Sequence, residues 1–178
     1  MSASKAEYLK KKDLVAFHNF LTGYKALDES VRKEFPKTYT YKSTLNLKTL
    51  EREIEAIREV EKPLIDLDTE YKTIRKNLIE AKAVKKEDGT FEVKDGKYVF
   101  ESPEVETKVI KEIEVETKDI IEKMTEESRK IEEFHNEPSE LTLNDFAKFD
   151  INKDIPKYME EKPDDIEFLT ELGLIVSN

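Results

Sequence analysis

The sequence predicts a mainly α-helical protein: an antiparallel coiled-coil helical hairpin with a small β-hairpin at its tip, flanked by short helices. Two long segments repeat apolar residues at alternating steps of three and four, which is the period of one helix face. Only 4 of the 178 residues are glycine, and two of these glycines lie between the two segments, each after an aspartate. The predicted parts are a head (residues 1–44), a helical hairpin (45–136) with its β tip at 90–100, and a tail (137–178).

The head combines aromatic residues with basic charge. Its apolar spacing predicts one or two helices over residues 13–35, whereas the alternation of threonine and tyrosine in KTYTYKSTLNL predicts extended chain over 37–47. Residues 1–49 contain 10 Lys and Arg but 5 Asp and Glu. Aromatic rings interleaved with lysine can stack on nucleobases and bind phosphates. The candidate nucleic-acid contacts are Phe35, Lys37, Tyr39, Tyr41 and Lys42.

A role in local packing is the alternative for these five residues, and we favour it. The chain contains no recognisable nucleic-acid-binding motif, and its remaining segments are acidic. On sequence grounds we therefore expect a protein partner rather than nucleic acid.

The first arm carries apolar residues at helical spacing from Leu47 to Ala81. The spacing is irregular only where two successive steps of three lead up to Val60. Pro63 follows closely, and proline inside a helix removes a hydrogen bond and clashes with the preceding turn. Together these signals predict a kink over residues 59–63, with a complete break as the alternative.

The β tip follows from two Asp-Gly pairs. We expect Gly89 to end the first helix, because glycine readily adopts the left-handed conformation of a helix stop. Asp95-Gly96 predicts a two-residue hairpin turn. In that hairpin Val93 faces Tyr98, Phe91 faces Phe100, and the four side chains share one side of the ribbon.

An isolated hairpin is only marginally stable in water, so those side chains need cover. They either cap their own helix pair or contact another chain. We expect most of them to cap the pair, and the outermost, Tyr98 and Val99, to contact a partner. The candidate protein-binding residues of the tip are Phe91, Val93, Tyr98, Val99 and Phe100.

The second arm runs from Ile110 to Phe134 at the same alternating spacing. Ser102 and Pro103 form a typical helix start, since serine caps a helix N-terminus and proline suits its first turn. Asn136 and Pro138 are expected to end the helix.

The tail predicts short helices over residues 141–149 and 164–172, with Gly173 as a stop. The apolar end that follows should dock on the body of the protein or on a partner. Its residues complete the candidate protein-binding set: Leu174, Ile175 and Val176.

The sequence offers little that would support catalysis. The chain has no cysteine, and it lacks a serine–histidine–acid set, a phosphate loop and a dinucleotide fingerprint. Asp150, Asn152, Asp154 and Glu161 are spaced as in a calcium loop, but Ile155 stands where that loop needs glycine. We therefore expect no enzyme activity, metal, cofactor or small-molecule substrate.

The chain shows neither a secretory signal nor an apolar run of the ~20 residues that a membrane helix needs. It is therefore expected to be cytoplasmic. Residues 122–178 contain 7 Lys and Arg against 16 Asp and Glu. This acidic tail and the basic head can attract each other, within one chain or between chains.

The order of helix, β tip and returning helix resembles a prefoldin subunit. In that family the hairpins assemble into a shared barrel, and the coiled-coil arms hold unfolded client proteins. The resemblance therefore implies a chaperone subunit that forms a higher oligomer through its tips. The long head and the tail after residue 138 depart from that pattern.

A larger part of the chain, about residues 14–176, resembles an uncharacterised family of small tailed-phage proteins. The matching segments are DLVAFHNFL, LEREIEAIREVEKPLIDLDTEYKTIRKNLIEA, EDGTFEVKDGKYVF, SPEVETKVIKEIEVE and IEFLTELGLIV. The resemblance implies a phage-encoded protein without catalytic residues. A non-enzymatic protein-binding or assembly factor, present in the virion or binding a host protein, is thus the leading hypothesis.

Overall fold

The computed structural model describes residues 8–177 and is mainly helical, with a long helix pair that packs together. The first seven residues of the predicted head lie outside the described residues. They are part of the segment in which no secretory signal was expected. The helices are α1 Lys11–Lys25, α2 Glu29–Arg32, α3 Lys37–Lys82, α4 Pro103–Asn136, α5 Lys157–Glu160 and α6 Pro163–Glu171. The strands are β1 Tyr8–Lys10, β2 Val93–Lys94, β3 Lys97–Tyr98, β4 Pro138–Thr142, β5 Phe149–Asp150 and β6 Ile175–Val176.

The described chain forms two compact units. The terminal unit contains the residues up to Glu59 and from Glu132 onward, and the arm unit is Val60–Ile131. Head and tail residues therefore share one unit, which also includes the first part of α3. This division differs from the three consecutive segments that the sequence predicts.

The core of the terminal unit is built from both ends of the chain. Strand β1 pairs antiparallel with β4, and β5 pairs parallel with β6. The Tyr39 ring packs between rings from both ends of the chain. Its centroid lies 5.9 Å from that of the Tyr24 ring and 5.4 Å from that of the Phe149 ring. The largest fully buried apolar side chains of this core are Phe17, Tyr39, Phe149, Leu14, Leu21, Leu50, Ile57, Met159, Leu169 and Leu174.

The segment 37–47 is helical, so the expectation of extended chain there is wrong. Tyr39, Asn46 and Leu50 are buried and recur at steps of seven and four, which places them on one helix face. The intervening threonines do not interrupt the helix, because the Thr44 hydroxyl donates a hydrogen bond to the carbonyl of Thr40, one turn earlier.

Helix α3 continues through Pro63, so the alternative of a complete break is wrong. The kink over residues 59–63 stays a prediction. The helix ends at Lys82, well before Gly89.

The tail differs from its predicted structure in its first half. Residues 141–149 were predicted to be helical, but Pro138–Thr142 is a strand, a 3-10 turn spans Leu143–Asp145, and Phe149–Asp150 is another strand. The second half agrees better with the prediction, since α6 ends just before Gly173.

In the arm unit, the predicted seam of α4 includes three buried residues, Thr117, Ile120 and Ile131. At the start of α4 the buried position is shifted by one residue, since Val109 is buried and Ile110 is 50% exposed. The seam of α3 is half-buried at Leu64, Leu67, Tyr71, Ile74 and Leu78, and Val60 is 39% exposed. Within residues 8–177, no helix is long and apolar enough to cross a membrane.

Candidate protein-binding groove

The β tip is longer than the predicted 90–100: it spans residues 83–100, the range that the name denotes from here on, and it contains the predicted hairpin. Val93 pairs with Tyr98 and Lys94 with Lys97, which leaves Asp95-Gly96 as a two-residue turn. Both turn residues have positive φ, 51° and 76°. This is the conformation of the tight turn that matches strand twist, and glycine adopts it without a steric penalty. The hairpin prediction is confirmed.

A further segment, residues 83–86, completes the β tip. Phe91 and Phe100, predicted to face each other, pair instead with Lys85 and Ala83 of this segment. Gly89 lies in a second turn, in which the Lys86 amide donates to the Thr90 carbonyl at 2.8 Å. The prediction that Gly89 ends the first helix is therefore wrong, because this glycine serves a turn between two extended segments.

Backbone hydrogen bonds link the three segments in a closed cycle. The Val84 amide donates to the Val99 carbonyl at 2.8 Å, and the Val99 amide donates to the Glu92 carbonyl at 3.0 Å. The Glu92 amide donates to the Val84 carbonyl at 2.8 Å. The β tip is thus a unit of three hydrogen-bonded segments, and it is no isolated hairpin.

Most of the apolar side chains of the β tip are half-buried. The rings of Phe91 and Tyr98 meet edge to face at 5.6 Å, and the Tyr98 hydroxyl donates to Glu80 of α3 at 3.3 Å. Val93 is the most exposed of the apolar side chains, at 51%. Tyr98 and Val99, which we expected to be outermost, are more covered than Val93 because they pack within the three-segment unit.

A groove of about 530 Å³ lies between the β tip and the two helices of the arm unit. Its floor is apolar or aromatic and comprises Tyr71, Ile79, Tyr98, Phe100, Val109, Ile110 and Ile113. Four charged residues line it as well: Arg75, Lys97, Glu106 and Glu114. Grooves with an apolar floor and a few polar groups at the edge are typical binding sites.

The four charged residues of the groove form no ion pair within residues 8–177. Lys97 and Arg75 are cationic, and Glu106 and Glu114 are anionic, so the groove presents both signs around an apolar floor. A partner with complementary charges would gain orientation from them.

Helix α4 has two exposed apolar residues that can be compared, one that lines the groove and one that lies outside it. Ile110 is 50% exposed and lines the groove, whereas Val115 is 74% exposed and lies outside it. The two positions are 140° apart around the helix, at 100° per residue. They are therefore suited to a matched test of whether the groove itself is functional.

The candidate nucleic-acid contacts of the head do not form an exposed stacking surface. Tyr39 is buried in the core, and Phe35 packs edge to face on it at 5.3 Å. The Lys42 ammonium pairs with the buried Asp154 carboxylate. Only Lys37 and Tyr41 are exposed, so the local packing role is the one that the structure supports for the other three.

The tail candidates belong to the core of their own chain. Leu174 is fully buried, and Ile175 and Val176 are half-buried in the strand that pairs with Phe149–Asp150. Of the two predicted alternatives, docking on the body is the one observed. Leu174 is thus not accessible to a partner protein.

The calcium-like spacing corresponds to a hydrogen-bonded turn. One Asp154 oxygen accepts from the Asp150 amide at 2.6 Å and also from Lys42. The Asp150 carboxylate accepts from the Asn152 amide at 2.9 Å. Glu161 is exposed after α5. Within residues 8–177, no group of three or more side chains is arranged to bind a metal ion.

Comparison of the chain with protein-family models, with curated proteins and with solved structures gave no match. The groove is therefore characterised by its own geometry. The sequence identified Tyr98 and Phe100 as contact candidates, but it assigned Tyr71, Ile110 and Ile113 only to the helix seam. Arg75, Ile79, Glu106 and Glu114 were missed, because only the folded β tip brings them together.

Proposed function

We propose that the protein is a non-enzymatic protein-binding or assembly factor, and that a partner protein binds in the groove of the arm unit. The observation that carries this proposal is the apolar floor beside four charges without ion pairs inside the described chain. Burial of one apolar side chain contributes ~1.5–3 kcal/mol, so a partner segment with a few apolar anchors would bind measurably.

The sequence resemblance to small tailed-phage proteins extends this proposal. The factor would be phage-encoded and would act as a virion component or bind a host protein in the host cytoplasm. The alternating three-and-four spacing of α3 and α4 supports a coiled-coil arrangement of the pair. A stiff pair of this kind would hold the groove in a defined geometry.

A photo-cross-linking amino acid placed at position 110 or at position 115 tests the proposal in cells that make the protein. We expect a discrete protein adduct from position 110 and none from position 115. Tyr98→Ser should abolish that adduct, because the Tyr98 ring forms part of the floor. Equal adducts from both positions, or none from position 110, would contradict the proposal.

A prefoldin-like chaperone subunit is the competing class. Assembly of a shared barrel requires free backbone groups at strand edges. In the β tip, residues 84, 92 and 99 already bond to one another, which favours the first proposal. Light scattering distinguishes the two, because a prefoldin-like subunit forms a higher oligomer that depends on Val93 and Tyr98.

A further inference from the structure

A second cavity lies in the terminal unit. It has a volume of about 260 Å³ and is open to solvent. Rings from Tyr24, Phe35 and Tyr39 line it together with Leu21 and Leu47. Phe35 stands edge to face against Tyr39, at 85° between ring planes. Such a lining favours a flat aromatic guest, since rings pair well edge to face or offset.

Two cations also line this cavity. Lys25 and Arg32 are exposed, and neither forms an ion pair within residues 8–177. No Asp or Glu lines the cavity. The nearby Asp165 accepts a hydrogen bond from the Tyr24 hydroxyl. The mouth therefore favours an anion, and the planar guanidinium of Arg32 matches a carboxylate.

The wall of the cavity contains two unusual hydroxyl groups. Those of Tyr39 and Ser43 lie next to each other, covered from solvent, and neither has a hydrogen bond of good geometry. The Thr40 and Thr44 hydroxyls come from residues that line the same cavity, and they donate to the backbone carbonyls of Pro36 and Thr40, respectively. Buried polar groups are nearly always hydrogen-bonded. If Tyr39 donates to Ser43, the Ser43 hydroxyl still has one hydrogen to donate to a further group.

We propose that this cavity binds a small aromatic carboxylate, with the ring against the wall that Tyr24, Phe35 and Tyr39 form together and the carboxylate between Lys25 and Arg32. Rotation of Ser43 about its single side-chain bond would turn its hydroxyl toward the ligand, and Tyr39 would then donate to Ser43. Burial raises the pKa of Tyr39 far above its usual range. Its hydroxyl therefore stays protonated and remains a donor.

Benzoate and its uncharged analogue benzamide, titrated into the full-length protein and followed by amide chemical shifts, test this site. For a ligand of this size we expect benzoate to bind with a Kd of about 0.1–1 mM. Benzamide should bind at least ~10-fold more weakly, because it lacks the charge that Lys25 and Arg32 attract. Shifts should concentrate on residues that line the cavity.

Matched variants distinguish the site from a general charge effect. Arg32→Gln should weaken benzoate binding ~5-fold or more. Lys33→Gln should leave binding unchanged, because Lys33 pairs with Glu29 and lies outside the lining. Tyr39→Phe should weaken binding without lowering the unfolding midpoint, since the hydroxyl loses no well-formed bond. Equal binding of both probes, no saturable shifts up to about 10 mM benzoate, or wild-type affinity of Arg32→Gln would overturn the proposal.

Discussion

Replacing Asn46 with alanine should destabilise the terminal unit far more than the same change at an exposed asparagine of α3. The Asn46 side chain is fully buried and forms two hydrogen bonds with the backbone of Ala147, called the clamp below. Its amide donates to the Ala147 carbonyl at 3.0 Å, and its carbonyl accepts from the Ala147 amide at 2.8 Å. These two bonds join α3 to a tail segment 101 residues further along the chain.

The expected cost follows from what the substitution leaves behind. Alanine removes both bonds and leaves a donor and an acceptor of Ala147 unsatisfied, at ~1–3 kcal/mol for each group that water does not reach. Because Ala147 is half-buried, water satisfies part of this demand. We therefore expect a loss of about 2–4 kcal/mol in the free energy of unfolding.

Urea unfolding followed by circular dichroism measures this loss, and hydrogen exchange locates it. The Ala147 amide should exchange much faster in Asn46→Ala than in the wild type. Asn46→Leu separates hydrogen bonding from cavity formation, because leucine keeps the volume. Asn77→Ala is the matched control: Asn77 is exposed in the same helix, and its loss should change stability by less than about 0.7 kcal/mol. A cost below about 0.5 kcal/mol for Asn46→Ala would refute the clamp.

Two further predictions concern other buried side chains. Burial by itself raises the pKa of Asp154, but hydrogen bonds and the charge of Lys42 outweigh it, and the net pKa lies below the usual value. The stabilisation that Asp154 contributes is therefore present above its unfolded pKa of about 3.9 and is lost as the pH falls through the folded value. Lys42→Met should lower the free energy of unfolding by about 2–4 kcal/mol at pH 7, and by less as the pH falls below about 4. Urea unfolding at several pH values measures this loss, and a loss that does not depend on pH would contradict the prediction. Ile120→Ala should lower stability by ~2–4 kcal/mol, because Ile120 is only 7% exposed. Ile121→Ala should cost less than about 1 kcal/mol, because Ile121 is 45% exposed. Equal losses in thermal unfolding would contradict the orientation of α4.

The helices of the arm unit could be predicted from sequence because their signal is local. A helix presents every third or fourth residue to its neighbour, so the apolar spacing itself marks the buried face. The choice between Val109 and Ile110 was not predictable in the same way. Both residues are apolar and adjacent, so the spacing alone does not decide which of them is buried in the fold.

The errors concern segments whose structure depends on distant residues. In 37–47 the alternation of threonine and tyrosine suggested extended chain, but the segment is helical and buries Tyr39 against Phe149 of the tail. In 141–149 the apolar spacing suggested a helix, but Phe149 pairs with Ile175 in a parallel strand pair. No local pattern encodes either contact.

The groove was predicted only in part for the same reason. The Asp95-Gly96 turn is a local signal and gave the hairpin correctly. The pairing of residues 83–86 with both hairpin strands is a tertiary feature, and this segment was assigned to the helix. The charged residues of the groove are ordinary helix-surface residues by sequence, and their position beside the β tip alone distinguishes them.

The construction of the terminal unit from both ends of the chain has a consequence for synthesis on the ribosome. Phe17, Tyr24 and Tyr39 leave the exit tunnel long before Phe149 and Leu174, their partners in one core. At ~5–20 residues per second, the nascent chain spends several seconds with these rings uncovered. The helices of the arm unit need only each other and can form during that interval. A nascent chain from which Ile131 but not Phe149 has left the exit tunnel would therefore present an aromatic surface to cellular chaperones, while its arm unit can already fold.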